Sequence, residues 1–195
     1  MKALCILLIL LSSSESFPQG AIQFKTSVLF HPEIGQPYHA LAQNAAGSPL
    51  GPEFSAGLYL VAGPSESLRV VTTFRDTGPY RGEVLQPAAN VVVPGVPIGQ
   101  QANFRVKVWE TAAGSYDNAV QNGFCTGIFP SYFGDNLVPV VLGPRISPLP
   151  IPPAQLHGLL PLTLDCIPEP STKSIALLAA FLLFRRRSRR HNSRE

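Results

Sequence analysis

Charge is scarce in this chain. Only 14% of its 195 residues are Asp, Glu, Lys or Arg. A helical bundle, whose outer faces are dense in Glu and Lys, is a poor match for that composition. Long hydrophobic runs are absent too. The two longest, residues 3–11 and 175–184, hold nine and ten residues, where roughly 20 are needed to cross a bilayer. Catalytic signatures are equally missing. There is no Gly-x-Ser-x-Gly elbow, glycine-rich phosphate loop, His-Glu-x-x-His or kinase motif. The four histidines, His31, His39, His157 and His191, have no zinc-ligand spacing and read as surface or loop residues. Asp117 with Asn118, and Asp135 with Asn136, supply too few oxygens for a calcium loop and read as turn formers. The acids of the body single out no glycosidase pair. The sequence therefore assigns no catalytic, cofactor-binding or metal-ligating residue, and the expectation is a protein that is not an enzyme.

What the chain does have is apolar residues and chain-turning ones. Hydrophobic residues make up 45%, with 20 prolines and 16 glycines. That mixture suits an all-β domain with many turns. The formal charge of +3 is misleading, because six arginines lie in the last eleven residues. Between Phe17 and Ile167 there are seven Lys and Arg against nine Asp and Glu. The body is slightly acidic, so nucleic acid is not an expected partner.

Both ends read as targeting segments. Lys2, the apolar run at 3–11 and the Ser-rich stretch after it have the layout of a secretory signal peptide. It would hand the chain to the Sec translocon and to signal peptidase, with cleavage near Ser16. At the other end, Ser171 and Thr172 suit a helix N-cap, and Glu169 suits the positive end of its dipole. The run at 175–184 has no polar face. Lys173 and Arg185 can extend its reach by snorkelling. The arginines after it act as a stop that stays cytoplasmic. Physical chemistry alone gives a short, weak, one-pass anchor.

The order "PEPST", apolar helix, "RRRSRR" resembles the PEP-CTERM sorting signal of exported proteins of Gram-negative bacteria. The matching positions are Pro168, Glu169, Pro170, Ser171 and Thr172, with Arg185, Arg186 and Arg187 as the basic stop. The resemblance implies recognition by exosortase, a membrane-embedded transpeptidase-like enzyme that removes the helix and tail. It implies a transient membrane anchor and a final location in the cell envelope or outside the cell. The body is similar to single-domain β-rich members of the same class through "GLYLVAGPSESL", "GQQANFRVKVWETAAGSYDNA" and "VPVVLGPRISPLPIPPAQLHGLLPLTL". That likeness implies a route and no reaction.

The chain thus reads as three parts: a signal peptide at 1–16, an exported β-rich domain at 17–166 and a sorting segment at 167–195. Strands are expected at 21–29, 56–62, 68–74, 90–93, 102–109, 123–129, 138–142 and 159–164. The clearest is "NFRVKVWE", where Phe104, Val106 and Val108 alternate with Arg105, Lys107 and Trp109. Short strands with frequent turns suggest a β-sandwich-like domain. Residues 143–155, with five prolines in thirteen positions, are expected to form a loop across one end of it. Signal removal leaves Cys125 and Cys166, which an oxidising compartment would join in one disulfide. Trp109, on the polar face, either packs under a loop or offers a stacking surface. A carbohydrate-binding, adhesin-like module would use Trp109 with Tyr80 or Tyr116, and exopolysaccharide is the partner that location suggests. An enzyme acting on envelope polymers, and a permanently anchored single-pass protein, are the remaining alternatives.

Overall fold

The computed structural model describes residues 18–28, 35–144 and 154–166. The signal segment, His31, residues 145–153 of the proline-rich stretch, the sorting motif at 168–172, the basic stop at 185–187 and His191 lie outside the described residues. The chain divides into one compact unit up to Asp165, which holds every described strand, and a second that starts at Cys166.

The fold is all-β. Of the described residues, 49% are in strands and 7% are helical. In chain order the strands are β1 (Gln19–Gln23), β2 (Ser27–Val28), β3 (Tyr38–His39), β4 (Ala42–Asn44), β5 (Phe54–Ala62), β6 (Ser65–Thr73), β7 (Val91–Pro97), β8 (Gln101–Glu110), β9 (Thr126–Ile128), β10 (Val138–Val141), β11 (Ala154–Gln155) and β12 (Leu162–Leu164). A 3-10 turn, Thr111–Ala113, and a short helix, α1 (Tyr116–Gln121), lie between β8 and β9. The main sheet runs β10-β8-β5-β6, with β9 also on β8. A second sheet runs β11-β1-β7, and β12-β4 and β2-β3 form two-stranded pairs.

The centre of the main sheet follows from sequence pattern. β8 pairs antiparallel with β5 from Phe54↔Glu110 to Val61↔Asn103. Its alternation puts Phe104, Val106 and Val108 on one face, all fully buried. Ala56, Leu58 and Leu60 of β5 join them on that face. Ile22 of β1 and Val91 and Val93 of β7 belong to the same apolar cluster, so side chains from both larger sheets share one core. β5 turns into β6 through Gly63 and Pro64. Gly63 has φ of 59°, the left-handed value that tight hairpin turns of matching twist require. The register slips once, where Leu58 pairs with Val70 and Tyr59 with Leu68. Arg69 is the extra residue of that bulge, a device that bends an edge strand away from further pairing.

Several expectations need correcting. The strand expected at 21–29 is two strands, because Phe24 to Thr26 leave the ladder between β1 and β2. β3, β4 and β11 are too short to show a period and were not expected. Gln155 was expected inside a loop, yet with Ala154 it pairs parallel to β1. The largest miss is α1. Asp117 and Asn118 are not in an open turn but in its first turn, N-capped by Ser115, whose hydroxyl accepts from the Asn118 amide. By contrast, Asp135 and Asn136 do sit in a turn, with φ of 50° and 54°.

The helix explains the outer face of β5 and β8. Ala113 and Ala119 pack over Trp109, and all three are buried. Gly57 makes room for the indole. A Cβ at that position would lie 2.8 Å from two ring carbons of Trp109.

Leu58→Ala, in the shared core, is expected to cost about 2–5 kcal/mol in urea unfolding. Leu68→Ala, on the exposed side of β6, should stay within about 0.5 kcal/mol. Equal losses at both positions would mean that β6 is covered in solution.

Candidate functional site

Two side-chain clusters stand outside the apolar core, and the first is built on the loop from Arg75 to Glu83. Phe74 and Val84 bridge antiparallel at its base. Arg75 donates its amide to the Glu83 carbonyl at 2.9 Å, and Gly82 donates to the Arg75 carbonyl at 3.0 Å. Two further bonds pin the loop to the body. Ala42 donates to the Gly82 carbonyl at 2.9 Å, and Val84 donates to the Thr26 hydroxyl at 3.2 Å. Gly82 has φ of 82°, and a Cβ there would sit 2.6 Å from the Ala42 carbonyl oxygen. Glycine is the residue that both the conformation and the space allow.

Held this way, the loop carries Glu83 inward, where it is 5% exposed. Its carboxylate pairs with Nδ1 of His39. A carboxylate on one imidazole nitrogen fixes the orientation of the ring. The ring of Tyr80 then lies flat on the imidazole, at 4.9 Å between centroids and 15° between planes. Lys25 lies within the field of Glu83. Burial lowers its ammonium below the ordinary lysine value, and Glu83 opposes that shift. The outcome is a stack of three residues from two distant parts of the chain, ending in a tyrosine that is 46% exposed. It presents an aromatic face in one orientation.

The second cluster lies on the outer face of the main sheet. Arg105 and Lys107 both pair with the Glu66 carboxylate. The Lys107 ammonium also sits 4.6 Å from the ring centroid of Tyr59 and 4.7 Å from that of Tyr116. Tyr116 in turn meets Trp109 edge-on at 6.3 Å. Lys107 therefore joins β5, β8 and α1 by cation–π contact. Burial pushes the Tyr59 phenol up, and the nearby Asp117, Glu66 and Tyr116 add to that. For Glu66, burial pushes the carboxyl up, but the hydrogen bonds and charges of Lys107 and Arg105 outweigh it. The carboxyl is held below its ordinary value.

These clusters sort the expected site residues. Trp109 is 1% exposed and is not a stacking surface, because the chain after β8 folds back over it. Tyr116 is half-buried, with one side of its ring occupied by Lys107 and Trp109 at its edge. Tyr80 alone of the three candidates is open. Cys125 is half-buried and Cys166 exposed, and both are disulfide-bonded. The pairing of His39 with Glu83 was not foreseen. The two are 44 residues apart, on short segments without periodicity, so no local signal points to it. Among the described residues no group of three or more His, Cys, Asp or Glu is placed to hold a metal ion. No described helix is long and apolar enough to cross a membrane.

Compared with the models of known protein families, with characterised proteins and with solved structures, the chain matches none of them.

The lowered carboxyl of Glu66 has a definite sign in stability. A carboxylate whose folded pKa lies below its unfolded value adds stability above the unfolded pKa, and that stability is lost as pH falls through the folded one. Wild type should therefore exceed Glu66→Gln in unfolding free energy at pH 7, by about 1 kcal/mol or less for so shallow a site. The gap should close below about pH 4, where free carboxyls protonate. A gap that widens on acidification would contradict this account.

Proposed function

We propose that this chain is an exported, non-enzymatic surface or extracellular-matrix protein. A signal peptide takes it across the inner membrane, and an exosortase-type enzyme processes it at its C-terminal signal. The observation that carries this reading is the ordered ending: Pro168, Glu169 and Pro170, then Ser171 and Thr172, a ten-residue apolar run, and Arg185, Arg186 and Arg187. Each part alone is common. Their order at one end, with an apolar leader at the other, is specific to export followed by sorting. The body fits the destination. Its fold is all-β, and the core shared by its two larger sheets suits a sandwich-like domain.

The state of the cysteines supports the same route. Disulfides persist outside the cytoplasm and are rare within it, and both described cysteines are disulfide-bonded. Cys125 and Cys166 are the two that remain after signal removal, and we pair them with each other. Such a bond would fasten the end of the body just ahead of the sorting motif, and would contribute roughly 3–4 kcal/mol.

Intact mass of the protein recovered from its own host, from envelope and culture medium separately, tests the proposal. The expected species lacks about sixteen N-terminal residues and everything beyond the Pro168–Glu169–Pro170 region, and is 2 Da lighter than its reduced form. A species that keeps Arg185 to Glu195 would make the tail a permanent anchor. A full-length species with free thiols would overturn export.

A further inference from the structure

We propose that the Tyr80 loop is a binding site for an acidic polysaccharide, with sugar rings stacking on Tyr80 and their carboxylates meeting Arg75 and Arg81. The choice of ligand class rests on the export reading above, since exopolysaccharide is the polymer that the destination offers. The site itself rests on geometry.

Three features distinguish this tyrosine from an ordinary exposed aromatic. Its back is fixed, because Tyr80 stacks on His39 at 4.9 Å and His39 is held by the buried Glu83 carboxylate. Its loop is fixed, through the Gly82 and Val84 backbone bonds to Ala42 and Thr26. Its front is open, at 46% exposure. A ring already ordered loses little freedom on binding, and that is the main advantage of a preorganised site. A pyranose offers a flat array of C–H groups to such a face, with hydroxyls and carboxylates at its rim.

The charges of the loop and its neighbourhood favour an anion. Three of the six described Lys and Arg residues of the body gather here: Lys25, Arg75 and Arg81. Of the other three, Arg105 and Lys107 are paired with Glu66, and Arg69 donates to the Ser67 hydroxyl on β6. Arg75 and Arg81 are exposed and, among the described residues, form no ion pair. Arg81 adjoins Tyr80 in sequence, and Arg75 is tied to Gly82 and Glu83 across the loop. Asp76 is the one exposed acid of the loop, and Glu83 is buried against His39. Two exposed arginines on the loop that holds one rigid aromatic ring suit a carboxylated sugar, since guanidinium binds carboxylate with two parallel hydrogen bonds. Single-stranded nucleic acid also combines rings with anions. It draws on several successive aromatic platforms and a basic groove, whereas this loop of a slightly acidic body carries a single ring.

The test is calorimetric titration of the purified, oxidised body with alginate oligosaccharides, neutral dextran oligosaccharides and single-stranded oligothymidine. Alginate is expected to bind, more weakly as salt rises, and dextran only marginally. Tyr80→Ala should weaken alginate binding about tenfold or more, and Tyr80→Phe should keep most of it. Arg75→Ala with Arg81→Ala should weaken it by a similar factor and flatten the salt dependence. The buried Trp109 serves as a folding control, because its emission should be unchanged in all these variants. No alginate binding by folded protein, binding untouched by Tyr80→Ala, or tighter binding of oligothymidine would each overturn the proposal. Because the titration uses purified body, its failure leaves the export reading standing. A failed mass experiment would likewise leave the measured binding intact.

Discussion

The antiparallel pairing of β5 with β8 is the interaction on which the rest of the structure depends. Its register, from Phe54↔Glu110 to Val61↔Asn103, decides which side chains share each face. On one side it brings Leu58 and Val106 together in the main core. On the other it places Tyr59, Arg105, Lys107 and Trp109 on a common surface. A slip of one residue would exchange the two sets. The outer set is too apolar to leave in water and too polar to bury whole. The chain resolves this with a short helix over Trp109 and with Lys107 and Arg105 turned toward Glu66.

That arrangement shows why the central strands were legible in the sequence and their surroundings were not. Phe104, Val106 and Val108 alternate cleanly over a long strand, and burial follows the alternation. The strands at 56–62 and 138–142 were also expected, as short apolar runs without that alternation. β3, β4 and β11, of two or three residues each, exist because a neighbour offers them a partner. A pattern of two residues carries no period. The helix α1 had a local signal in Ser115 and the glycines at 114 and 123, but a six-residue helix is below the length at which propensity alone holds one together. It forms because Ala119 and Tyr116 have Trp109 and Lys107 to pack against.

The Tyr80 loop teaches a related lesson. Its turn chemistry, with Gly78, Pro79 and Gly82, was readable. What turns it from a flexible tip into an ordered face is Glu83, which reaches His39 across 44 residues of sequence. A buried acid needs a partner, and here the partner is itself a ring on which an aromatic can rest. Tyr80 was visible as one aromatic among several. Its standing apart from Trp109 and Tyr116 depends on which of them the fold covers, and only the tertiary structure decides that.

The late strands carry one more consequence. β11 lies parallel to β1, and β12 parallel to β4. Side chains along these contacts join residues 132 and 120 positions apart, Gln23 with Gln155 and Gln43 with Thr163. The opening strands thus find these neighbours only when almost the whole body has emerged. Contacts of such long sequence separation slow folding, because a large loop must close before they form. Until the last strand arrives, β1 lacks its parallel neighbour β11 and β4 lacks β12, so the body closes from its end back to its beginning.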